Sequence, residues 1–199
     1  QKMGLFTLND TETKEYEKWA AYATDTAALD ELKQSVYESK AIKYEDRAKT
    51  YADKYNAAKA VVDAIKADDT RTTIDDKKAE LASLKSRFDA DYSSYAKTDD
   101  KGNTTYDTDK LKEDGKLEDF NARKKEIDAL SDTVDKYDKA VKDMADSKDY
   151  VTIGSDGKAV ANPANAKLKA EVDSENTTIR SNSDAAIDAK VAYSVNMLK

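Results

Sequence analysis

From Tyr37 onward, apolar residues fall at positions 37, 41, 44, 48, 51, 55, 58, 62 and 65, reading Tyr, Ala, Tyr, Ala, Tyr, Tyr, Ala, Val, Ile with no charge among them. Spacings that alternate between four and three place them all on one side of an α-helix, the pattern of a coiled-coil seam. Upstream, Trp19, Tyr22, Leu29, Leu32 and Val36 follow a slightly shifted phase, which predicts one helix over 10–67 with a local stutter near residue 36. At ~1.5 Å per residue such a helix is roughly 85 Å long. Asn9, with Glu12 three positions on, supplies a capping-box-like start. The helix ends at ADDTRTTID, where Asp and Thr side chains compete for the backbone.

A second helix is predicted over 74–96, capped by Thr73 with Asp76, its seam carried by Ile74, Leu81, Phe88 and Tyr95 with Leu84 and Tyr92. The stretch 98–109 contains Gly102, Asn103 and a threonine pair and reads as a loop or hairpin. A third helix follows over 108–147, with Phe120, Ile127, Leu130, Val134, Tyr137, Val141 and Met144 on its seam. Its outer face pairs Asp119 with Arg123, Asp132 with Lys136, Asp135 with Lys139 and Asp138 with Lys142 at i,i+4. Residues 149–162 read as a second hairpin-like loop around Ser155-Asp156-Gly157. Asn162 as cap and Pro163 at the first position open a fourth helix over 163–198, carried by Leu168, Val172, Ile179, Ala186 and Tyr193, with Ile187, Val191, Val195 and Leu198 widening the stripe near its end.

The expected fold is all-α: one elongated domain, 1–199, built as an antiparallel coiled-coil-like bundle of about four long helices with one or two small β-hairpin-like loops at its tips. Composition supports this. Hydrophobic residues make up 39% against 38% charged, too little apolar material for a thick globule but enough for one stripe per helix. One proline and five glycines leave few helix breakers. A net charge of -7, with basic and acidic residues interleaved, argues against a nucleic-acid partner. No run approaches the ~18–20 apolar residues of a membrane span, and no charged-then-apolar signal pattern is read.

Cysteine and histidine are both absent, which removes thiol chemistry, the commonest general base and the commonest metal ligand. No catalytic residue, metal ligand or cofactor site is assigned, and the chain is expected not to be an enzyme. Asp99, Asp100, Asn103, Asp107 and Asp109 lack the ligand order of a calcium loop and read as turn-forming. Tyr37, Tyr44, Tyr51 and Tyr55 are expected on the intramolecular seam, with a partner-facing stripe as the alternative. The ring faces then meet small alanines while the hydroxyls reach water or a backbone carbonyl at the edge.

Asn9, Asn103 and Asn176 each begin an Asn-x-Thr triplet, a glycosylation acceptor in exported proteins, which favours an extracytoplasmic, secreted or cell-surface location. The remaining apolar residues sit at the termini: Leu5, Phe6 and Leu8 before the first helix, and Val195 and Leu198 at the end of the last. Antiparallel pairing brings these together as a candidate self-association patch. In composition and periodicity the chain resembles the α-helical stalks of bacterial surface proteins, and its paired terminal helices are similar to those of flagellin-type filament subunits. The expected function is a structural one: a helical rod that self-associates into a cell-surface filament, layer or appendage. An adhesin-like module recognising a host or partner protein is the alternative, and a periplasmic chaperone-like helical protein the third.

Overall fold

The computed structural model describes residues 7–199 and is mostly helical, with two small antiparallel hairpins. Its helices are α1 (Asp10–Ala20), α2 (Thr26–Lys40), α3 (Tyr44–Asp68), α4 (Ile74–Tyr92), α5 (Thr108–Glu113), α6 (Leu117–Ser147) and α7 (Ala166–Met197). The strands are β1 (Ala96–Thr98) and β2 (Thr104–Tyr106), then β3 (Val151–Ile153) and β4 (Ala159–Ala161). The chain divides into two compact units: one holds Ala161–Lys199 with the described residues up to Thr50, the other holds Tyr51–Val160.

Four long helices are not what forms. The stretch 10–67 is three helices, separated by two interruptions. After α1 the chain tightens into a 3-10 turn at Ala21–Ala23, and Asp25 restarts it, its carboxylate accepting from the Ala28 amide at 3.0 Å. That N-cap is a helix-start signal the heptad phase concealed. The second interruption, at Ala41–Lys43, has no glycine, proline or cap residue behind it. The third expected helix is also divided: Gly115 at φ +69 separates α5 from α6, a left-handed conformation glycine adopts without cost. The fourth starts at Ala166, because Asn165 rather than Asn162 accepts from the Leu168 amide at 3.0 Å. Asn162 instead holds a turn through the Ala164 amide at 3.1 Å. The capping boxes at Asn9–Glu12 and Thr73–Asp76 form as expected.

In the first unit, α1 and α2 both pack on α7. Tyr16 meets Tyr193 and Lys190 lies over Trp19 on the α1 side, while Arg180 lies over Tyr37 and Asn176 meets Ile42 on the α2 side. Rising numbers on one partner meet falling numbers on the other, so both run antiparallel to α7. Neither α1 nor α2 buries a residue fully. The buried line of α7 is Leu168, Val172, Ser183, Ile187, Val191 and Ser194; the two serines join the expected apolar residues, while Ala186 and Tyr193, expected on the line, are exposed. Ser183 and Ser194 occupy seam positions because each hydroxyl donates back to its own helix, to the carbonyls of Arg180 and Lys190.

In the second unit α6 pairs antiparallel with α4, bringing Phe120 to Phe88 and Asp138 to Lys78. Over its second half it meets the later turns of α3, where Ala58, Val62 and Ala140 are buried together. The larger core lies at the start of α6: Phe88, Tyr92, Tyr95, Leu111 and Phe120, with Tyr106 against them from β2. Ring centroids there are 4.9 to 6.4 Å apart and tilted or edge-on, the arrangement that the ring quadrupole favours. The hairpin β1–β2 leads into this end of α6 and the hairpin β3–β4 leaves its other end, where Val151 and Ala159 pack with Ala52 and Tyr55. Asn56 fixes that second hairpin: its amide donates to the Ala159 carbonyl at 2.9 Å and accepts from the Ala159 amide at 2.7 Å.

Candidate association surface

The seam tyrosines fall into two environments. Tyr55 is 9% exposed and sits in the cluster with Ala52, Val151 and Ala159. Tyr51 is half-buried and stacks on Tyr150 at 4.2 Å with the rings nearly parallel. Tyr37 and Tyr44, in the first unit, are half-buried against α7. The Arg180 guanidinium covers the Tyr37 ring at 4.0 Å, and the Tyr44 hydroxyl donates to Asp173. That hydrogen bond is the main reason the Tyr44 phenol is held above its ordinary pKa, burial adding to it. The same device recurs in the second unit, where Tyr92 donates to Asp119 and Tyr95 to Asp114, the latter at 2.5 Å. Carboxylates, not backbone carbonyls, satisfy these ring edges.

Of the terminal apolar residues, Leu5 and Phe6 lie outside the described residues. Leu8 and Val195 are half-buried and Leu198 is 39% exposed. Tyr193, expected on the seam, is 55% exposed and meets Tyr16 edge-on at 5.9 Å. One turn further along α1, Trp19 donates from Nε1 to Glu15 at 3.0 Å, and the Lys190 ammonium stands 4.2 Å from its ring centre. The antiparallel pairing therefore brings the start of α1 alongside the end of α7, and their shared end carries two exposed large apolar side chains. Periodicity hid Tyr193, because the seven-residue line through Ile179 and Ala186 passes through it.

Nearer the middle of α2, a groove of about 540 Å³ opens beside α7, lined by Asp30, Glu31, Lys33, Glu38, Arg180 and Asp184 among others. Lys33 reaches out of it to Asp188 at 2.7 Å, a bond that raises the ammonium pKa. Arg180 donates to Gln34 at 2.7 Å while stacked on Tyr37. The groove is left with an acidic excess, and Asp184 Oδ1 is enclosed without a hydrogen-bond partner. Nothing in the sequence marked this arrangement, since charges occur everywhere along α2 and α7.

The three Asn-x-Thr asparagines are all engaged. Asn9 caps α1; Asn103 donates to Asp99 at 3.2 Å in the β1–β2 turn; Asn176, inside α7, bonds both backbone groups of Ile42, at 2.8 and 3.0 Å. The acidic loop is organised by its backbone: Asp99 accepts from the Lys101 and Asn103 amides at 2.9 and 2.8 Å, and Asp107 caps α5. Among the described residues no group of three or more acidic side chains is arranged to hold a metal ion, and no helix is long and apolar enough to cross a membrane. Comparison with protein-family models, curated proteins and solved structures finds no match for this chain.

Proposed function

We propose that this chain is a non-catalytic structural protein that self-associates, as the helical subunit of a cell-surface filament, layer or appendage. The observation that carries the reading is the end shared by α1 and α7, where Tyr193 and Leu198 stand 55% and 39% exposed next to the Tyr16 ring contact. Exposed apolar side chains gathered at one end are a feature of association sites. Each ~100 Å² of apolar surface covered there is worth roughly 2.5 kcal/mol before association costs. A contact between this end and a different surface of the next molecule does not close, and non-closing contacts build filaments. The other exposed large apolar side chains among the described residues, Val61, Val141, Ile153 and Val160, belong to the second unit. The test is light scattering over a concentration series with negative-stain microscopy, on the chain and on a Tyr193→Glu/Leu198→Glu variant. Polymers lost in the variant support the reading, and a monomer at every concentration for the parent chain removes it.

A second reading, a surface-exposed module that recognises a partner protein, is favoured by the acid-rich groove beside α2, whose chemistry suits a basic segment. Binding of a lysine-rich peptide, lost in Asp184→Ala, distinguishes it from self-association.

A further inference from the structure

The interruption between α2 and α3 is the one place where sequence and structure disagree without a local cause. Residues 37–55 contain no glycine or proline, their apolar spacing continues in phase from Tyr37 through Ala41, Tyr44 and Ala48, and Ala, Ile and Lys are all residues a helix accepts. Yet Ala41 leaves the helix at ψ 139, and α3 restarts at Tyr44. What meets the break is a side chain from α7. Asn176 Oδ1 accepts from the Ile42 amide at 2.8 Å and its Nδ2 donates to the Ile42 carbonyl at 3.0 Å. One primary amide thus takes both groups that a continuous helix would use internally.

The neighbouring contacts hold the helices without holding the break. Tyr44 to Asp173, Arg47 to Glu175 at 2.5 Å and Glu171 at 3.4 Å, and Arg180 to Gln34 at 2.7 Å join side chain to side chain. Their partly exposed charges contribute little. On both sides of the break α7 is met in the same antiparallel order, Tyr37 opposite Arg180 and Tyr44 opposite Asp173, seven residues against seven. A continuous helix has the same rise along α7, so joining does not require these pairs to part.

We propose that the Ala41–Lys43 break is conditional: Asn176 holds it open, and when its amide is withdrawn α2 and α3 join through 41–43 into one helix. The amides of Ile42 to Asp46 then pair with the carbonyls of Glu38 to Ile42 in the ordinary i to i−4 pattern. Two helix ends disappear, with the unpaired backbone groups that every end carries. The site is a built-in conformational device, and any ligand or partner that competes for the Asn176 amide acts on it.

The experiment uses the whole chain by NMR. In the parent protein the Cα shifts of Ala41 and Ile42 carry the extended signature. In Asn176→Ala they move to helical values, and amide exchange at Lys43 to Asp46 slows by at least tenfold even as the thermal midpoint falls. Local protection that rises when a contact is deleted is the signature that a merely structural clasp does not give. Lys43→Pro in the Asn176→Ala background restores the extended shifts, because proline forbids the helix across 42 and 43. If Asn176→Ala does not fold, Asn176→Leu, which removes both donor and acceptor at similar volume, is read the same way. Extended shifts and faster exchange at 41–46 in the folded variant overturn the proposal.

Discussion

A tyrosine hydroxyl at a helix seam must find an acceptor or lose the water it gives up, and here Tyr44, Tyr92 and Tyr95 each find an aspartate. The ring stays inside while the short Asp side chain reaches across from the next element. This chemistry makes stability depend on pH at both extremes. Asp69 is held well below the usual carboxylate range, first by the Thr72 hydroxyl, then by the Arg71 amide and the Lys77 ammonium. Asp76 and Asp99 are lowered chiefly by the backbone amides of Thr73 and Asn103. A carboxyl with a depressed native pKa binds fewer protons folded than unfolded. Its contribution is complete above about pH 4 and fades as pH falls through the native value. The phenols run the other way: Tyr44 and Tyr95 are raised mainly by their Asp hydrogen bonds and Tyr92 mainly by burial. Their contribution is complete below about pH 10 and is lost as pH rises through the native values. The thermal midpoint is therefore flat between roughly pH 5 and 9 and falls on both sides. Asp69→Asn lowers the plateau and shallows the acid limb, and an unchanged acid limb contradicts the assignment. Tyr55→Ala, emptying the volume beside Ala52 and Val151, costs roughly 3 kcal/mol by the usual scale of aromatic deletions, and Tyr51→Ala costs less because its stacked ring is half-buried. Chemical denaturation of the two variants gives the order.

At the scale of elements, interruptions differ in whether the sequence writes them. Gly115 writes the one between α5 and α6, and its φ of +69 has open space around the position of a Cβ. Gly115→Ala accordingly costs about 1 kcal/mol from backbone strain alone, with no clash to relieve. Circular dichroism with urea titration reads this as a lower midpoint at constant helix content, and a loss larger than about 3 kcal/mol means a packing role instead. Asp25 writes the α1–α2 boundary as an N-cap, but an aspartate among so many aspartates carries little information until its amide partner is known. The break at Ala41–Lys43 is not written locally at all, because its partner lies on α7, 134 residues along the chain from Ile42. The charge ladder of α6 shows the same limit. Asp119 with Arg123 and Asp132 with Lys136 pair as the spacing predicts, at 3.7 and 2.7 Å. Lys139 and Lys142 turn forward instead, to Asp143 and Asp146, and Asp138 leaves its helix for Lys78 on α4. Every one of these alternatives is an i,i+4 or cross-helix option of nearly equal energy, so spacing alone does not choose. Helix content, both hairpins and two capping boxes were legible because their signals are local. On the buried line of α7, Leu168, Val172, Ile187 and Val191 were legible from their apolar spacing, but Ser183 and Ser194 were not, since they are polar residues that satisfy themselves within the helix.

At the scale of the molecule, the readings of function predict opposite responses to salt. Association through Tyr193 and Leu198 is driven by removal of apolar surface from water. Such a contact persists in about 0.5 M sodium chloride and tightens in sulfate, which is excluded from protein surfaces. Recognition through the groove at Asp30, Glu31 and Asp184 depends on charges that are mostly open to solvent, and screening over a Debye length of ~10 Å at 0.1 M weakens it steeply. The same experiment also reads α1. Because that helix buries no residue fully, its amides are expected to exchange among the fastest of any helix in the free chain. If the shared end of α1 and α7 is the contact, assembly slows exchange along α1 and leaves the α4 and α6 amides around Phe88 and Phe120 as they were. Hydrogen exchange measured below and above the assembly concentration, at low and high sodium chloride, therefore gives one decisive comparison. Salt-resistant particles with protected α1 amides support a self-associating structural subunit. Salt-sensitive binding with protection confined to α2 and the middle of α7 makes the groove the functional surface.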